Sequence, residues 1–248
     1  MDKIKRLLEK EVLKRNSKNE LTLDRPDPLL VATKYKDEYI ALICALFAYG
    51  NVNQIIKFLH SLNFKLLNEN DDKIRDGLQN HYYRFQKSED IIQFFITLKT
   101  LKQKYVLEDI FYQGYKIKQD VTDGLKEVIS LIYDINTYRS RGYEFLIGKI
   151  PGKKISSPYK RWNMYLRWMV REDNIDLGLW KKIDKKDLLI PLDTHTFKIS
   201  QKIGLLKRKT YDFKAVMELT KALRFFDAND PVKYDFAIYR IGQEKLLD

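Results

Sequence analysis

The stretch "DEYIALICALFAY", residues 37–49, is apolar nearly all the way round a helical wheel. A helix of that kind is buried instead of half-exposed, and Gly50 follows in the position where helices commonly stop. The run is shorter than the roughly 18 apolar residues that a membrane span needs. Working outward, Ile4, Leu7, Leu8 and Val12 mark one face of a first helix, and Val52, Ile55, Ile56, Leu59 and Leu62 mark another. "EDIIQFFITLKTLKQKY" (89–105) and "VTDGLKEVISLIYDI" (121–135) continue the helical spacing. Period-two alternation long enough for a strand is absent. The predicted class is all-α, with eight or more helices.

The chain has 248 residues, 44% of them hydrophobic, which suffices for one large or two small domains with a real core. No repeat or low-complexity linker marks a boundary. The opening "MDKIKRLLEKEVLKR" alternates charge with leucine and does not have the apolar centre of a signal peptide. A cytoplasmic, nucleoid-associated location is expected, with no membrane partner. The single cysteine, Cys44, excludes an intramolecular disulfide and a four-cysteine zinc or iron–sulfur site. His60, His81 and His195 are scattered, so neither a metal nor another cofactor is expected.

Of the formal net charge of +12, the span Lys149–Lys209 carries +10, from 16 Lys and Arg against 6 Asp and Glu. Concentrated positive charge suits a polyanion, because each neutralised phosphate releases counterions. An anionic membrane surface fits less well, since the span is not one amphipathic helix.

Within it, "GKKISSPYKRWNMYLRWMVRED" (152–173) signals a helix start. Ser157 can cap and Pro158 suits the first helical position, so the helix is predicted from Pro158 to about Arg171. Trp162, Tyr165, Leu166 and Met169 form its apolar face, with Lys160, Asn163, Arg167 and Arg171 along another side. Lys160 then lies in the first turn, where the helix dipole disfavours the ammonium form and so favours a nucleophilic amine. Lys153, Lys154, Ser156 and Ser157 lead into a helix start that can present N–H groups to phosphate. Read by itself, such a lysine is a solvated charge.

"LLIPLDTHTFKI" (188–199) turns at Pro191 and sets Asp193 before a new apolar face. Phe197 and Ile203 are its buried side and Gly204 its exit. On spacing alone Asp193 is an N-cap. The acidic stretch Glu172, Asp173 and Asp176 lacks a ligand-spaced histidine or second acidic cluster, which disfavours a metal-dependent nuclease.

Taken in order, "KRWNMYLRWMV" and "IPLDTHTFKISQKIGL" resemble the helix–hairpin–helix DNA glycosylase superfamily of endonuclease III and the oxoguanine glycosylases. The match is Lys160 and Asn163 for its Lys-x-x-Asn helix and Leu192-Asp193-Thr194-His195 for its Val-Asp-Thr-His motif. With "DEYIALICALFAYGNVNQI" and "DPVKYDFAIYRIGQ", the whole chain looks like a bacterial branch of that superfamily. The resemblance implies a monomer acting on damaged double-stranded DNA in base-excision repair, with abasic-site lyase activity. Lys160 would attack C1′, and Asp193 would assist proton transfer and stabilise charge on the sugar. Lys153, Lys154, Ser156, Ser157, Arg161, Arg167, Thr194 and His195 would contact DNA. Tyr82, Tyr83, Phe85 and Trp162 are the aromatic candidates to hold a flipped base.

The implied architecture is a six-helix barrel over 30–172, ending in the hairpin helix, and a second helical domain from 1–29 and 173–248, with DNA in a cleft between them. The sequence departs from the superfamily in having "KKISSPYK" in place of a Gly-x-Gly hairpin and in lacking the four-cysteine loop. The separation of 33 positions between Lys160 and Asp193 is wide. It is similar to that of archaeal oxoguanine glycosylases and points to an oxidised purine such as 8-oxoguanine. The alternative is a non-catalytic double-stranded DNA-binding protein of the same fold.

Overall fold

The computed structural model describes residues 1–22 and 24–244. Helix α1 (Asp2–Arg15) is followed by α2 (Pro28–Tyr35), α3 (Glu38–Leu46), α4 (Val52–Ser61), α5 (Asp71–Leu78) and α6 (Ser88–Lys104). Then come α7 (Leu107–Lys118), α8 (Val121–Ile135), α9 (Arg141–Ile147), α10 (Lys160–Val170), α11 (Thr194–Lys202), α12 (Phe213–Phe226) and α13 (Asp235–Gln243). Among the described residues there is no strand, only isolated bridges, so the chain is all-α. None of their helices is long and apolar enough to cross a membrane.

The chain divides into two compact units, Pro26–Lys153 and Met1–Arg25 with Lys154–Asp248. The division at 153/154 falls before α10, where the resemblance implied a boundary after 172, so Lys160 and Asp193 belong to the same unit.

In the Pro26–Lys153 unit, α3 is buried from Tyr39 to Leu46. Asp37 starts it by accepting from the backbone N–H of Tyr39 and Ile40 at 2.9 and 3.0 Å. Gly50 stands just beyond it with φ 104°, a left-handed conformation that side-chain-bearing residues rarely adopt. Buried Asp90 accepts from Lys87 N–H at 2.8 Å and Tyr138 hydroxyl at 2.9 Å, and from the Ser140 hydroxyl. Ser140 in turn caps α9 through Tyr143 N–H at 2.9 Å. One carboxylate therefore anchors the starts of two helices.

In the other unit α1 packs along α13. Arg15, 1% exposed, donates to Glu11 and Glu244, while Arg240 donates to Glu20. These buried guanidinium–carboxylate contacts satisfy charges that would be expensive to leave unpaired out of water.

Helix α10 begins at Lys160, two residues later than the sequence predicts. Tyr159 precedes it with φ 46° and ψ 37°, which interrupts the helical run after Pro158. Ser157 is not the N-cap; its hydroxyl accepts from Tyr159 N–H at 3.3 Å in the preceding turn. Tertiary contacts redirect the chain here. Phe213 N–H donates to the Ser156 carbonyl at 3.0 Å, and Asn163 Nδ2 donates to the Pro158 carbonyl at 3.1 Å.

Candidate functional site

Lys160 is the first residue of α10, half-buried, with Nζ 3.6 Å from Met164 Sδ. Asn163 and Arg167 follow at spacings of three and four, on the same side of the helix. Asn163 is 1% exposed and ties down the approach to the helix through Pro158. Its Oδ1 is buried without a hydrogen-bond partner among the described residues.

Arg167 corrects an expectation. It was placed on the DNA-contacting side, but it is 3% exposed and engaged by carboxylates. Its Nε donates to Asp176 Oδ1 at 3.1 Å and its Nη1 to Asp235. A guanidinium held this way is structural and is not available to a phosphate. Arg171 is likewise buried, contacting Asp230 at 2.9 Å, Asp173 at 2.9 Å, and Asp176.

The segment between the two motifs supplies these acids. After α10 the chain folds back so that Leu177 and Gly178 N–H donate to the Trp168 carbonyl at 2.9 and 3.1 Å, and Trp180 N–H to Met169 at 2.8 Å. The Trp168 and Met169 carbonyls near the end of α10 are thereby satisfied. Trp180 packs edge-on against Tyr165, with ring centroids 5.4 Å apart. Burial pushes the Asp176 carboxyl up, against the opposing pull of Arg167 and Arg171. Burial also acts to raise Asp173, but Arg171 and the N–H groups of Asp176 and Ile175 outweigh it, and Asp173 is held below the ordinary carboxylate range. Asp173 and Asp176 are thus engaged by arginines, while Glu172 is exposed and pairs with Lys181. Among the described residues no group of three or more His, Cys, Asp or Glu could hold a metal ion.

Asp193 caps α11, accepting from Thr196 N–H at 2.6 Å. The approach to it is pinned by two contacts. Tyr211 donates its hydroxyl to the Leu192 carbonyl at 2.7 Å, and Ile190 N–H donates to Thr220 Oγ1 at 3.1 Å. Burial, and then the charge of Asp193, push the Tyr211 hydroxyl up to about 12. Thr194 is exposed. His195 is half-buried and edge-on to Tyr239 at 5.9 Å. A Cβ at Gly242 would collide with His195 Nε2 and Ile199, so this glycine lets α11 approach α13.

Arg167 reaches Asp235, the first residue of α13, which is 8% exposed. Burial pushes its carboxyl up to about 6; Arg167 opposes the rise, Asp193 adds to it, and Lys160 lowers it. Lys160 and Asp193, 33 positions apart in sequence, lie with Asp235 in one compact unit. Sequence reasoning missed Asp235. The only signal was its place in "DPVKYDFAIYRIGQ", where an aspartate before an apolar run reads as an ordinary helix start.

The other expected contacts fall in several settings. Lys153, Lys154, Ser156 and Ser157 are exposed and Arg161 is half-buried. Tyr82, Tyr83 and Phe85 lie in the Pro26–Lys153 unit and Trp162 in the other. Tyr83 and Trp162 are core residues, 5% and 3% exposed. The Tyr83 ring stacks on Phe58 at 4.6 Å and its hydroxyl donates to Tyr49 O at 2.6 Å. Tyr82 and Phe85 are open to solvent, at 77% and 56%.

The chemistry on offer is an amine at one helix start, a carboxylate at another, and a second, buried carboxylate whose pKa burial pushes up to about 6. The chain belongs to the family described as protein of unknown function (DUF2400), whose profile matches residues 27–244. No curated protein and no solved structure matches it.

Proposed function

We propose that this protein is a DNA base-excision glycosylase with abasic-site lyase activity, acting on an oxidised purine such as 8-oxoguanine in duplex DNA. The observation that supports the reading is that Lys160 opens α10 and Asp193 caps α11 within one compact unit.

In this reading the neutral Lys160 amine attacks C1′ of the damaged nucleoside. The C1′–N bond breaks, the base departs with a proton, and the ionised Asp193 stabilises positive charge on the sugar while it builds. The nitrogen lone pair then expels the ring oxygen, so that the C1′–O4′ bond breaks, O4′ takes a proton to become a hydroxyl, and the protonated Schiff base forms. Removal of a C2′ proton then expels the 3′ phosphate by β-elimination, and water releases the enzyme. The exposed Lys153, Lys154, Ser156, Ser157 and Thr194 are the backbone contacts of the proposal, with Arg161 beside them and His195 as a neighbour. Tyr82 and Phe85, the exposed aromatics, are its candidates for stacking on a base. The two helical subdomains implied by the resemblance form part of the same reading.

The test is borohydride trapping on duplex DNA carrying an abasic site and then 8-oxoguanine, with chelator present. A covalent adduct that disappears in Lys160→Ala is expected. An adduct that persists in that variant removes Lys160 as the nucleophile. If no adduct forms while duplex binding is intact, the protein is a non-catalytic DNA-binding member of the same fold.

A further inference from the structure

The segment "KRKTYDFK", residues 207–214, leads from α11 into α12 and carries four cations against one aspartate. It has no part in the reaction scheme, yet hydrogen bonds fasten it along its length. Lys207 and Arg208 N–H donate to Glu218 Oε1 at 2.7 and 3.3 Å, and the Arg208 carbonyl accepts from Gln201 Nε2 at 2.7 Å. Tyr211 donates its hydroxyl to the Leu192 carbonyl, next to Asp193, at 2.7 Å. Phe213 N–H donates to the Ser156 carbonyl at 3.0 Å. The segment is therefore a strap between the approaches to α10 and α11, and all of it lies in one compact unit.

The strap also decides which of its charges are available. Arg208 Nε donates to Asp212 Oδ1 at 2.6 Å, so the one carboxylate is engaged by the one guanidinium. Asp212 is further occupied in capping α12 through Ala215 N–H at 3.1 Å. Lys207, Lys209 and Lys214 are exposed. Lys214 adjoins the residue bonded to Ser156, and Lys209 follows Arg208, which the pair with Asp212 draws to the foot of α12. Lys154, also exposed, stands two residues before Ser156. Consecutive Cα atoms are only about 3.8 Å apart, so cations distant in sequence are gathered around one backbone bond. Gathered like charges repel one another, a cost that an anionic partner removes.

We propose that Lys209 and Lys214, presented by this strap beside Ser156, bind the phosphate backbone of duplex DNA together with Lys154. The choice of DNA as the polyanion rests on the glycosylase–lyase reading; the shared cationic surface does not. Lysine ammonium groups on phosphates position a duplex and carry no sequence information, so the strap adds affinity and not lesion choice.

The experiment measures duplex DNA affinity of the full chain against salt, for the wild type and for Lys209→Gln combined with Lys214→Gln. Each lost ammonium removes one phosphate contact, so the slope of log affinity on log salt should fall by about 2, and by about 3 once Lys154→Gln is added. Lys116→Gln with Lys126→Gln makes the same charge change on exposed lysines of the other unit and should leave the slope as it is. At saturating DNA the strap variant should trap at close to the wild-type rate, because neither ammonium touches the reacting atoms.

A slope unchanged in the strap variant, or lowered as much by the control pair, overturns the inference; trapping that persists then leaves the glycosylase–lyase reading in place. A lowered slope in a protein that traps neither abasic-site nor 8-oxoguanine DNA upholds the strap and rejects that reading instead. A wild type with no affinity for duplex DNA overturns both.

Discussion

The Arg167 guanidinium and the Asp235 carboxylate form a buried ion pair that joins α10 to α13 behind the candidate site. Arg167 also holds Asp176, so one cation serves two buried carboxylates, one from the segment after α10 and one from the start of α13. Such a pair places the start of α13 relative to Lys160 and Asp193.

Removing that cation should be among the most damaging substitutions in the chain. Arg167→Met leaves Asp176 and Asp235 buried without their shared partner, a loss of about 3–5 kcal/mol. Urea denaturation measures it, and adding Asp235→Asn should recover part of the loss. By contrast Glu172→Gln, which breaks an exposed pair with Lys181, should leave the midpoint unchanged. Equal effects from the two substitutions would contradict the buried role of Arg167.

Asp193 has two separable duties. Asp193→Ala removes the Thr196 cap and should lower stability by about 1 kcal/mol together with trapping. Asp193→Asn retains a capping oxygen, so the melting temperature should stay near that of the wild type while trapping falls. An asparagine variant with full trapping would reduce Asp193 to a helix cap.

Stability should also report on Asp235. Its carboxyl, raised from 3.8 to about 6, binds a proton more tightly in the folded chain than in the unfolded one. The stabilisation this gives is complete below about pH 4 and fades as pH rises through about 6. Relative to Asp235→Asn, the wild type should therefore lose about 2–3 kcal/mol across that window and no more above it. Urea titrations at pH 4, 5, 6 and 7.5 give the difference directly. Parallel curves for the two proteins would show that Asp235 does not titrate there.

Duplex DNA affinity should fall steeply with salt, with a slope near 0.9 per phosphate contacted. Replacing the exposed Lys153 and Lys154 with alanine should reduce that slope by about 2. Lys160→Ala should stay within a few-fold of wild-type affinity. A flat salt response would assign the net +10 of the Lys149–Lys209 span to plain solvated surface.

The helices were legible because their signals are local. An all-round apolar run became buried α3, although the helix ends at Leu46 with Phe47 as its cap and not at Gly50, and an aspartate before an apolar face became the cap of α11. Lys160 was correctly placed in a first turn, although Tyr159 and the hydrogen bonds of Ser156 and Asn163 moved the helix start from 158 to 160. Those contacts lie outside the helix, where periodicity carries no information.

The sequence by itself determined the helical class and the capping of α11. The tertiary structure decided which charges count. A helical wheel put Arg167 on a polar side, but only the fold brings Asp176 and Asp235, 9 and 68 positions away, against it. It also made Asp235 part of the candidate site, because the interaction between charges depends on their separation and on the water between them. Neither quantity is written in the order of residues.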